Sequence, residues 1–461
     1  MNLERLIAAL GPGEVVHAEL SGPAPVEIVD LAYDTRTVTP GALFFCVRGQ
    51  NLDGHAFAPT AAALGAAALV VEEPVAVELP QLVVPDVRLA MPAAATIFFG
   101  DPSRELDVAG VTGTNGKTTT AFLIHSILEA AGRQVGLLTN IERRVGGDGR
   151  PTGLNTPEAI DLQRLLREMV VGGDTACVLE ATSEAQAQHR LEGTTFAVLV
   201  FTNLTQDHLN FHGTMEAYFE AKAALFAQAE HAVVNVGDEW GRVLAGRLPD
   251  AVTFAPDSDV LAGIDLRLRG GFNRANAIGA ALAAEALGID RNAVRAGIEA
   301  VTGVPGRFES IEAGQPFTVI VDYAHTPDSL ENVIGAARGL TEGKLTVVFG
   351  AGGDRDRGKR PQMGRVVSEL SDRAILTSDN PRSEDPEAIA ADVASGAVGP
   401  LQWELDRRSA IALALGDAGP GDVVLIAGRG AEPDQELAAG KVPFDDRVVA
   451  RELLARVTAR P

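Results

Sequence analysis

The stretch VAGVTGTNGKTTTAFLIHSIL, residues 108–128, decides the fold of this chain. A short apolar run leads into a glycine-rich turn, and Lys117 with three threonines then begins an apolar-faced helix. Inward-pointing backbone N–H groups and a helix N-terminus attract phosphates, Lys117 can bridge them, and Thr118 can ligate Mg²⁺. The pattern G-x-x-x-x-G-K-[ST] asks for glycine at 111, where valine stands; an ordinary strand–helix turn is the structural alternative. We predict an ATP site that comprises Gly113, Thr114, Asn115, Gly116, Lys117, Thr118 and Thr119.

The bulk composition narrows the class of protein. At 461 residues the chain is long enough for two to three domains. Its formal charge of −23 argues against nucleic acid or an anionic membrane as a partner. Two cysteines, Cys46 and Cys177, form no disulfide framework, and neither a signal peptide nor a membrane span is evident. We therefore expect a soluble, cytoplasmic protein.

The order of short apolar runs predicts an α/β fold of three domains. Residues 1–100 alternate short strands and helices and form a small α/β N-terminal domain. Regular βαβ units over residues 101–306 predict a central doubly wound, mostly parallel sheet that carries the P-loop. A Gly-Val-Pro-Gly break ends it, and residues 307–461 form a Rossmann-like α/β C-terminal domain.

Polar side chains that follow strands of the central domain are candidate ligands. Glu180 ends a buried strand, where a further Mg²⁺ ligand would belong. His208 lies in a polar loop after the next strand, although a loop histidine without a role is equally compatible with the spacing. Lys222 lies among apolar neighbours on a helix, where a buried lysine is plausible but snorkelling to solvent is common. The amides of Asn273 and Asn276, on a glycine-led helix, could contact a purine edge.

In the last 150 or so residues, four strands each end in a polar loop, and such loops gather at one edge of a parallel sheet. The loops are DYAHTPD at 322–328, GAGGDRDRGKR at 350–360, DNPR at 379–382 and GRGAE at 428–432. A domain built only for packing has no reason to place Asp, Arg and His so regularly there. We therefore predict a second part of the site at this edge.

With these motifs in view, the chain resembles the Mur ligases, and within that family the enzymes that add the third residue of the peptidoglycan stem. The resemblance runs over nearly the whole length. It rests on TGTNGKTT (112–119), LEATSEAQAQHR (179–190), TNLTQDHLNFHGTMEAYFEAKAALF (202–226), GRFE (306–309) and the four loops above.

The resemblance implies a first domain for the UDP end of the substrate, a second for ATP and Mg²⁺, and a third for the incoming amino acid. It implies catalytic roles for Lys117, Glu180, His208, Lys222 and Asp322. Mg²⁺ would be held by Thr118, Glu180, His208 and a CO₂-derived carbamate on Lys222. ATP would also contact Asn273, Asn276, Arg307 and Asp322. The UDP-N-acetylmuramoyl-L-alanyl-D-glutamate substrate would contact Thr35, Asn155, Thr156, Ser183, Gln188 and Arg190, although the spacing around Thr35 alone favours an ordinary polar turn.

The implied reaction is physically sensible. ATP phosphorylates a carboxylate, an amine attacks the acyl phosphate, and the products are an amide, ADP and phosphate; the metal ions and Lys117 bring the anions together. Meso-diaminopimelate differs from lysine by one extra carboxylate, which suits a guanidinium fork, and Arg382 therefore favours diaminopimelate over L-lysine or L-ornithine. The implied amino-acid site comprises Arg355, Asp379, Asn380, Pro381, Arg382, Gly428 and Glu432.

Two departures from the family pattern matter: Glu184 and Ala431 stand where histidine is usual. A folylpolyglutamate synthetase is the nearest enzymatic alternative, but the domain of ~100 residues before the P-loop, about an independent folding unit, and the DNPR loop count against it. A P-loop kinase or regulatory ATPase would use ATP without ligation. A binding-only homologue would be expected to have lost Lys117, Glu180 or Lys222. The resemblance also implies a monomer with no nucleic-acid or membrane partner, and through peptidoglycan synthesis a part in cell shape and division.

Overall fold

The computed structural model of the protein describes residues 1–10, 26–49 and 52–458. Its strands are β1 Asp30–Ala32, β2 Ala42–Phe45, β3 Ala68–Val71, β4 Gln81–Val83, β5 Asp107–Thr112, β6 Val135–Leu138, β7 Arg143–Val145, β8 Asp148–Arg150, β9 Ala176–Glu180, β10 Phe196–Phe201, β11 Ala229–Asn235, β12 Val252–Phe254, β13 Glu309–Ser310, β14 Thr318–Asp322, β15 Leu345–Phe349, β16 Arg373–Leu376, β17 Leu401–Trp403, β18 Val423–Ala427, β19 Asp434–Leu437 and β20 Gly440–Pro443.

Its α-helices are α1 Leu3–Leu10, α2 Ala58–Ala63, α3 Val87–Phe99, α4 Lys117–Ala130, α5 Ala159–Val171, α6 Ser183–Ala187, α7 Leu209–His212, α8 Met215–Ala223, α9 Glu239–Arg247, α10 Phe272–Ala286, α11 Arg291–Ala300, α12 Pro327–Arg338, α13 Lys359–Leu370, α14 Pro386–Ala394, α15 Arg407–Gly416 and α16 Asp446–Thr458. The elements pack into two units. The first comprises Met1–Gly110, Arg133–Leu199 and Ala224–Glu230, and the second comprises Val111–Gly132, Val200–Ala223 and His231–Pro461.

The first unit begins with a four-stranded parallel sheet in the order β1-β2-β3-β4. Strands β2 and β3 are buried along their whole length because their residues are apolar on both faces. One face packs against α1 and α3, and the other packs against α2. Helix α3 also packs on α5, and the Arg164 side chain on α5 donates to the Leu31 carbonyl at 2.8 Å. The small N-terminal sheet is thereby joined to the α5 region.

A sheet of eight strands, in the order β12-β11-β10-β5-β9-β6-β7-β8, carries the P-loop, and β5 and β10 each run from the first unit into the second. Within the first unit, β6 pairs parallel with β9 and antiparallel with β7. Within the second unit, β11 pairs parallel with β12, and α10 and α11 pack on α4, the helix that follows the P-loop.

The rest of the second unit contains a six-stranded sheet in the order β13-β14-β18-β15-β16-β17 and the antiparallel hairpin of β19 and β20. Every pairing in the six-stranded sheet is parallel except that of the short edge strand β13 with β14. Helices α12, α13 and α14 cover one face, and α15 and α16 cover the other. Parallel strands with helices on both faces form a doubly wound layer, and the ligand loops of such a sheet lie at the carboxyl ends of its strands.

The predicted α/β class with mostly parallel sheets is confirmed. The predicted domain limits, 1–100, 101–306 and 307–461, remain a prediction. No helix in the described part of the chain is both long enough and apolar enough to span a membrane.

Candidate functional site

The P-loop lies between the end of β5 at Thr112 and the start of α4 at Lys117. Both of its glycines are in conformations that side chains rarely adopt, with φ of +144° at Gly113 and +85° at Gly116. They also have no room for a side chain: a Cβ on Gly113 would lie 1.9 Å from the Thr202 Oγ1. The loop therefore presents bare backbone next to a helix N-terminus, the arrangement that binds phosphate.

Three cationic side chains are directed at this loop. The Lys117 Nζ donates to the carbonyls of Gly113 at 3.0 Å and Thr114 at 2.8 Å. The buried Lys222 donates to the same Gly113 carbonyl at 2.8 Å. The Arg307 guanidinium donates to the Thr118 Oγ1 at 2.8 Å. Of the two alternatives for Lys222, burial is the one observed. The positive charges of Lys117 and Arg307 suit a polyphosphate.

The neighbouring loop after β10 holds the P-loop in place. The Asn115 backbone N–H donates to the Asn203 Oδ1 at 2.9 Å, and the Thr205 N–H donates to the Thr114 Oγ1 at 3.0 Å. The Thr114 Oγ1 also lies 3.1 Å from the Tyr218 hydroxyl. These bonds fix the loop before a ligand arrives, and such preorganisation is what transition-state electrostatics requires.

His208 follows Asp207, a buried carboxylate in the same loop that is the centre of a cluster of charged side chains. The Asp207 carboxylate lies 3.1 Å from the Lys359 Nζ, 3.4 Å from the His208 Nε2 and 3.5 Å from the His325 Nε2. Burial alone would raise the pKa of Asp207, but Lys359, His208 and His325 outweigh it and hold that pKa well below its ordinary value. The cluster orients His208, whose φ is +55°.

The predicted nucleoside residues form two groups, one at the N-terminus of α10 and one at the end of β14. The Asn276 Nδ2 donates to the Asn273 Oδ1 at 3.0 Å, and a Cβ on Gly116 would lie 2.2 Å from the Asn276 Oδ1. The Asp322 carboxylate accepts from two backbone N–H groups, those of Phe308 and Ala324. Burial raises the pKa of Asp322, partly offset by the charge of Arg307.

The donor chemistry of the loop fits Mg²⁺. The described ranges contain no group of three or more His, Cys, Asp and Glu side chains that could hold a metal ion. An oxygen ligand of the kind that Mg²⁺ prefers is present in the Thr118 hydroxyl at the helix start. A carbamate on Lys222, whose Nζ lies against the Gly113 carbonyl, would supply another. These two groups would suit a hard, oxygen-preferring cation.

In the first unit, Thr156, Glu180 and Arg190 meet around the end of β9. The Thr156 Oγ1 donates to the Glu180 carbonyl at 2.7 Å, and the Arg190 Nη1 donates to the Thr156 carbonyl at 3.3 Å. The Arg190 Nη2 donates to the Gln188 Oε1 at 2.7 Å and lies 3.0 Å from the Glu158 Oε1. A guanidinium fixed in this way is suited to an anionic substrate.

The other predicted substrate residues of this unit are Ser183, Thr35 and Asn155, and they differ in burial. Ser183 is buried and begins α6, the half-buried Thr35 begins a 3-10 turn after Asp34, and Asn155 is exposed. Neither Thr35 nor Asn155 takes part in the described hydrogen bonds that join Thr156, Gln188 and Arg190.

The predicted amino-acid residues converge at the carboxyl ends of β16 and β18. The Asn380 Nδ2 donates to the Glu432 Oε2 at 2.8 Å. Gly428, with φ of +120°, packs so closely that a Cβ would lie 2.5 Å from the Asp379 Oδ2. Burial and the charge of Asp379 raise the pKa of Glu432. The two carboxylates and one amide form an anionic group, which suits an ammonium ion.

Arg382 and Arg355 differ in how firmly they are held. The Arg382 Nε donates to the Glu436 Oε2 at 3.0 Å, and its Nη1 donates to the Gly353 carbonyl at 2.7 Å. The backbone φ of Arg382 is +52°. Arg355 is exposed and donates to the Asp354 carbonyl at 3.0 Å, and Pro381 is buried. Arg382 is therefore the better-placed guanidinium of the two.

Sequence reasoning did not assign roles to several residues that support the site: Tyr218, Asn203, Lys359, Asp328 and Arg429. All five lie inside the motifs quoted above, and that position is the feature of the sequence that could have indicated them. The Asn115 Nδ2, for example, donates to the Asp328 Oδ2 at 2.9 Å across 213 residues of sequence, a pairing that no local pattern indicates.

Comparisons with known proteins agree with this arrangement. Three family models match in succession: the Mur ligase family, catalytic domain, at 27–109; the Mur ligase middle domain at 111–284; and the Mur ligase, glutamate ligase domain, at 306–430.

Full-length relatives carry one name, UDP-N-acetylmuramoyl-L-alanyl-D-glutamate–2,6-diaminopimelate ligase. The protein of Geobacillus thermodenitrificans is 42% identical over 487 residues, which cover 98% of this chain and 99% of its own. That of Gloeobacter violaceus is 44% identical over 468 residues, which cover 94% and 95%.

Solved structures agree in fold. One of a protein with that same name has a TM-score of 0.64 at 32% identity and covers 96% of this chain and 99% of its own. A folylpolyglutamate synthase of Mycobacterium tuberculosis has a TM-score of 0.61 at 20% identity and covers 81% and 96%, a likeness of fold alone.

Proposed function

The chain belongs to the Mur ligase family, and from that premise we propose how its residues carry out the reaction. It is an ADP-forming ligase of peptidoglycan synthesis, which joins meso-2,6-diaminopimelate to UDP-N-acetylmuramoyl-L-alanyl-D-glutamate with the use of ATP. The residue roles below are our proposal.

One observation carries the proposal: Lys117 is directed at the P-loop, and Arg307 is directed at the Thr118 hydroxyl in the first turn of α4. A polyphosphate placed on this loop would meet the backbone N–H groups, the α4 N-terminus and these side chains together. Lys117 then stabilises negative charge as the γ-phosphoryl group moves. Asn273, Asn276 and Asp322 would hold the nucleoside.

The first chemical step forms an acyl phosphate. An oxygen of the D-glutamate γ-carboxylate attacks the γ-phosphorus of ATP, and the bond to the β–γ bridging oxygen breaks, which releases ADP. We propose that Thr156, Ser183, Gln188 and Arg190 hold the dipeptide part of this substrate, with Thr35 and Asn155 at its UDP-muramoyl part.

The second step forms the amide. The amine of diaminopimelate attacks the acyl carbonyl, the tetrahedral adduct expels phosphate, and the amine loses a proton. Glu432 and Asp379 would attract the distal ammonium, Asn380 and Gly428 would shape that end of the pocket, and Arg382, with Arg355, would pair with the distal carboxylate.

Mg²⁺ would be held by Thr118, Glu180, His208 and a carbamate on Lys222. When bound, the metal would neutralise phosphate charge and orient the phosphoryl oxygens. Cytoplasmic location, a monomeric state and the link to cell shape and division are part of the same proposal. The use of ATP and the two buried free cysteines, Cys46 and Cys177, support a reducing compartment.

The decisive experiment measures phosphate release with UDP-N-acetylmuramoyl-L-alanyl-D-glutamate, ATP and Mg²⁺. Diaminopimelate, L-lysine and L-ornithine are compared as acceptors, and each component is left out in turn. We expect turnover with diaminopimelate, and no release when either the muramoyl dipeptide or the amino acid is missing. Release without an amine would instead indicate a kinase or regulatory ATPase.

Arg382→Ala tests the basis of amino-acid choice. We expect KM for diaminopimelate to rise about 10-fold or more, because a bidentate charge-assisted contact is lost, while KM for ATP stays unchanged. Arg373→Ala, in the same sheet but paired with Asp417 and Gln402 instead, is the matched control. An unchanged KM for diaminopimelate in Arg382→Ala would remove Arg382 from the site.

A further inference from the structure

A fully buried residue, Arg429, lies within the loops proposed to bind the incoming amino acid. The inference that follows rests on the proposed function, because it assigns to Asn380 and Glu432 a place in that amino-acid site. Arg429 belongs to the GRGAE loop after β18, next to Gly428 and Gly430, both at positive φ. Fully buried arginines are rare unless they are paired.

The Arg429 side chain joins three segments of the chain. Its Nη1 donates to the Asn380 Oδ1 at 3.2 Å. Its Nη2 donates to the backbone carbonyls of Asp434 at 2.7 Å and Phe444 at 3.0 Å, and the guanidinium lies 5.5 Å from the centre of the Phe444 ring. Arg429 thereby ties the DNPR loop to the β19–β20 hairpin.

These contacts determine which way the Asn380 amide faces. Its Oδ1 accepts from two donors, the Arg429 Nη1 and the Glu436 backbone N–H at 2.9 Å. A flipped amide would place its NH₂ group against both donors and lose both bonds. The Nδ2 is therefore directed away from Arg429, and it donates to the Glu432 Oε2 at 2.8 Å.

Arg429 also balances charge at this point. Asp379 and Glu432 are two carboxylates close to each other, and the Asp379 Oδ2 is buried without a hydrogen-bond partner among the described residues. Each buried carboxylate is costly to ionise without a counter-charge. The charged and polar groups that act on Glu432 are Asp379, Asn380, Arg429, His325, Tyr323 and Arg407.

We propose that Arg429 is a positioning residue for amino-acid recognition: it orients the Asn380 amide and supplies the buried positive charge that keeps Glu432 ionised for the distal ammonium of the acceptor. Arg429 does not touch the substrate. It acts through Asn380 and Glu432, so its loss affects amino-acid binding without affecting ATP binding.

The test compares Arg429→Met and Arg429→Lys with the wild type in the full-length enzyme, with the phosphate-release assay. For Arg429→Met we expect KM for diaminopimelate to rise about 10-fold or more and KM for ATP to stay within about twofold. Arg429→Lys keeps the charge but cannot reach the Asn380 amide and two carbonyls at once, so a smaller rise of about three- to tenfold is expected.

The pH profile separates the charge from the hydrogen bonds. Loss of the Arg429 charge raises the pKa of Glu432, so the acid limb of kcat/KM for diaminopimelate moves to higher pH in Arg429→Met. In Arg429→Lys the charge remains, and the limb stays near its wild-type position. A merely structural role for Arg429 would not move this limb.

The outcomes separate this proposal from the proposed function. If the wild type fails to turn over diaminopimelate, the proposed function itself is wrong. If the wild type is active and the Arg429 variants keep its KM for diaminopimelate, the positioning role is wrong, and equal rises in both KM values would also overturn it. Should Arg429→Met fail to fold, Arg429→Lys decides alone, and Arg373→Met controls for the loss of an arginine from the same sheet.

Discussion

Two lysine ammonium groups share one backbone acceptor: Lys117 and Lys222 both donate to the Gly113 carbonyl, at 3.0 and 2.8 Å. Like charges held this close repel each other, more strongly away from bulk water. A carbamate on Lys222 would reverse the sign of its charge and turn repulsion from Lys117 into attraction. The geometry thus gives the proposed modification an electrostatic reason.

The proposed carbamate can be tested by replacing Lys222, the side chain proposed to carry it. We expect Lys222→Gln to lower kcat about 100-fold or more, the usual cost of losing a preorganised electrostatic contact. In the wild type, isotope-labelled bicarbonate should produce a carbamate signal by NMR, and in Lys222→Gln that signal should vanish. Lys344→Gln, on the loop before β15, serves as the control and should keep both signal and rate. A signal that persists in Lys222→Gln would refute the assignment.

The alanines and aromatics around Lys222 on its helix made burial plausible, but the sequence left snorkelling to solvent equally open. It could not predict what the ammonium group contacts, because the Gly113 carbonyl lies 109 residues away. The same holds for Arg429. The GRGAE motif predicted that its loop belongs to the site, but only the tertiary structure shows that its guanidinium lies between the Asn380 amide and the Asp434 carbonyl.

At the scale of elements, α4 has a positive-φ glycine at each end, and the two differ in their surroundings. Gly116 has φ of +85°, and a Cβ there would lie 2.2 Å from the Asn276 Oδ1. Gly132, just past the helix, has φ of +78° and nothing within 4 Å of such a Cβ. An alanine at position 132 would therefore be strained only by its backbone conformation. An alanine at position 116 would also collide with Asn276.

Alanine at each position should have different costs. Gly132→Ala should lower the free energy of unfolding by about 1–2 kcal/mol, the cost of a left-handed alanine. Gly116→Ala should lose about 1–3 kcal/mol more through overpacking, and KM for ATP should rise because Asn276 must move. Urea unfolding and ATP kinetics measure both effects. Equal losses in the two variants would show that the Asn276 contact is not tight.

Elements were predictable where local chemistry defines them. The strand predicted before the P-loop is observed at Asp107–Thr112, and the predicted glycine-led helix is α10, Phe272–Ala286. The predicted helix that carries Lys222 is α8, which ends at Ala223, and the chain continues as a 3-10 helix to Gln228. The alanine-rich sequence allows either form, so packing decides between them.

At the scale of the molecule, contacts between distant segments of the second unit are what the sequence could not supply. Asp207 pairs with Lys359 across 152 residues, and Gln206 bonds to the Asp356 Oδ2 across 150. The order of the motifs predicted that loops would gather at the sheet edges, since parallel strands require it. Which loop of the P-loop sheet meets which loop of the C-terminal sheet depends on tertiary packing.

The Asp207–Lys359 pair allows this arrangement to be tested in solution. Both residues are only 5% exposed, so removal of either partner leaves a buried charge uncompensated. We expect Asp207→Asn and Lys359→Met each to lower the free energy of unfolding by about 3–5 kcal/mol. The double variant should lose less than the sum, with a coupling of about 1–3 kcal/mol.

Urea unfolding of the four proteins in this cycle measures the coupling. Asp207 also faces His208 and His325, so the residual effect of Asp207→Asn in the Lys359→Met background reports on the histidines. The more exposed pair Arg373–Asp417 is the control, and its cycle should give no more than about 1 kcal/mol. If the Asp207–Lys359 coupling were equally small, the loop after β10 and the N-terminus of α13 would not be held together in solution.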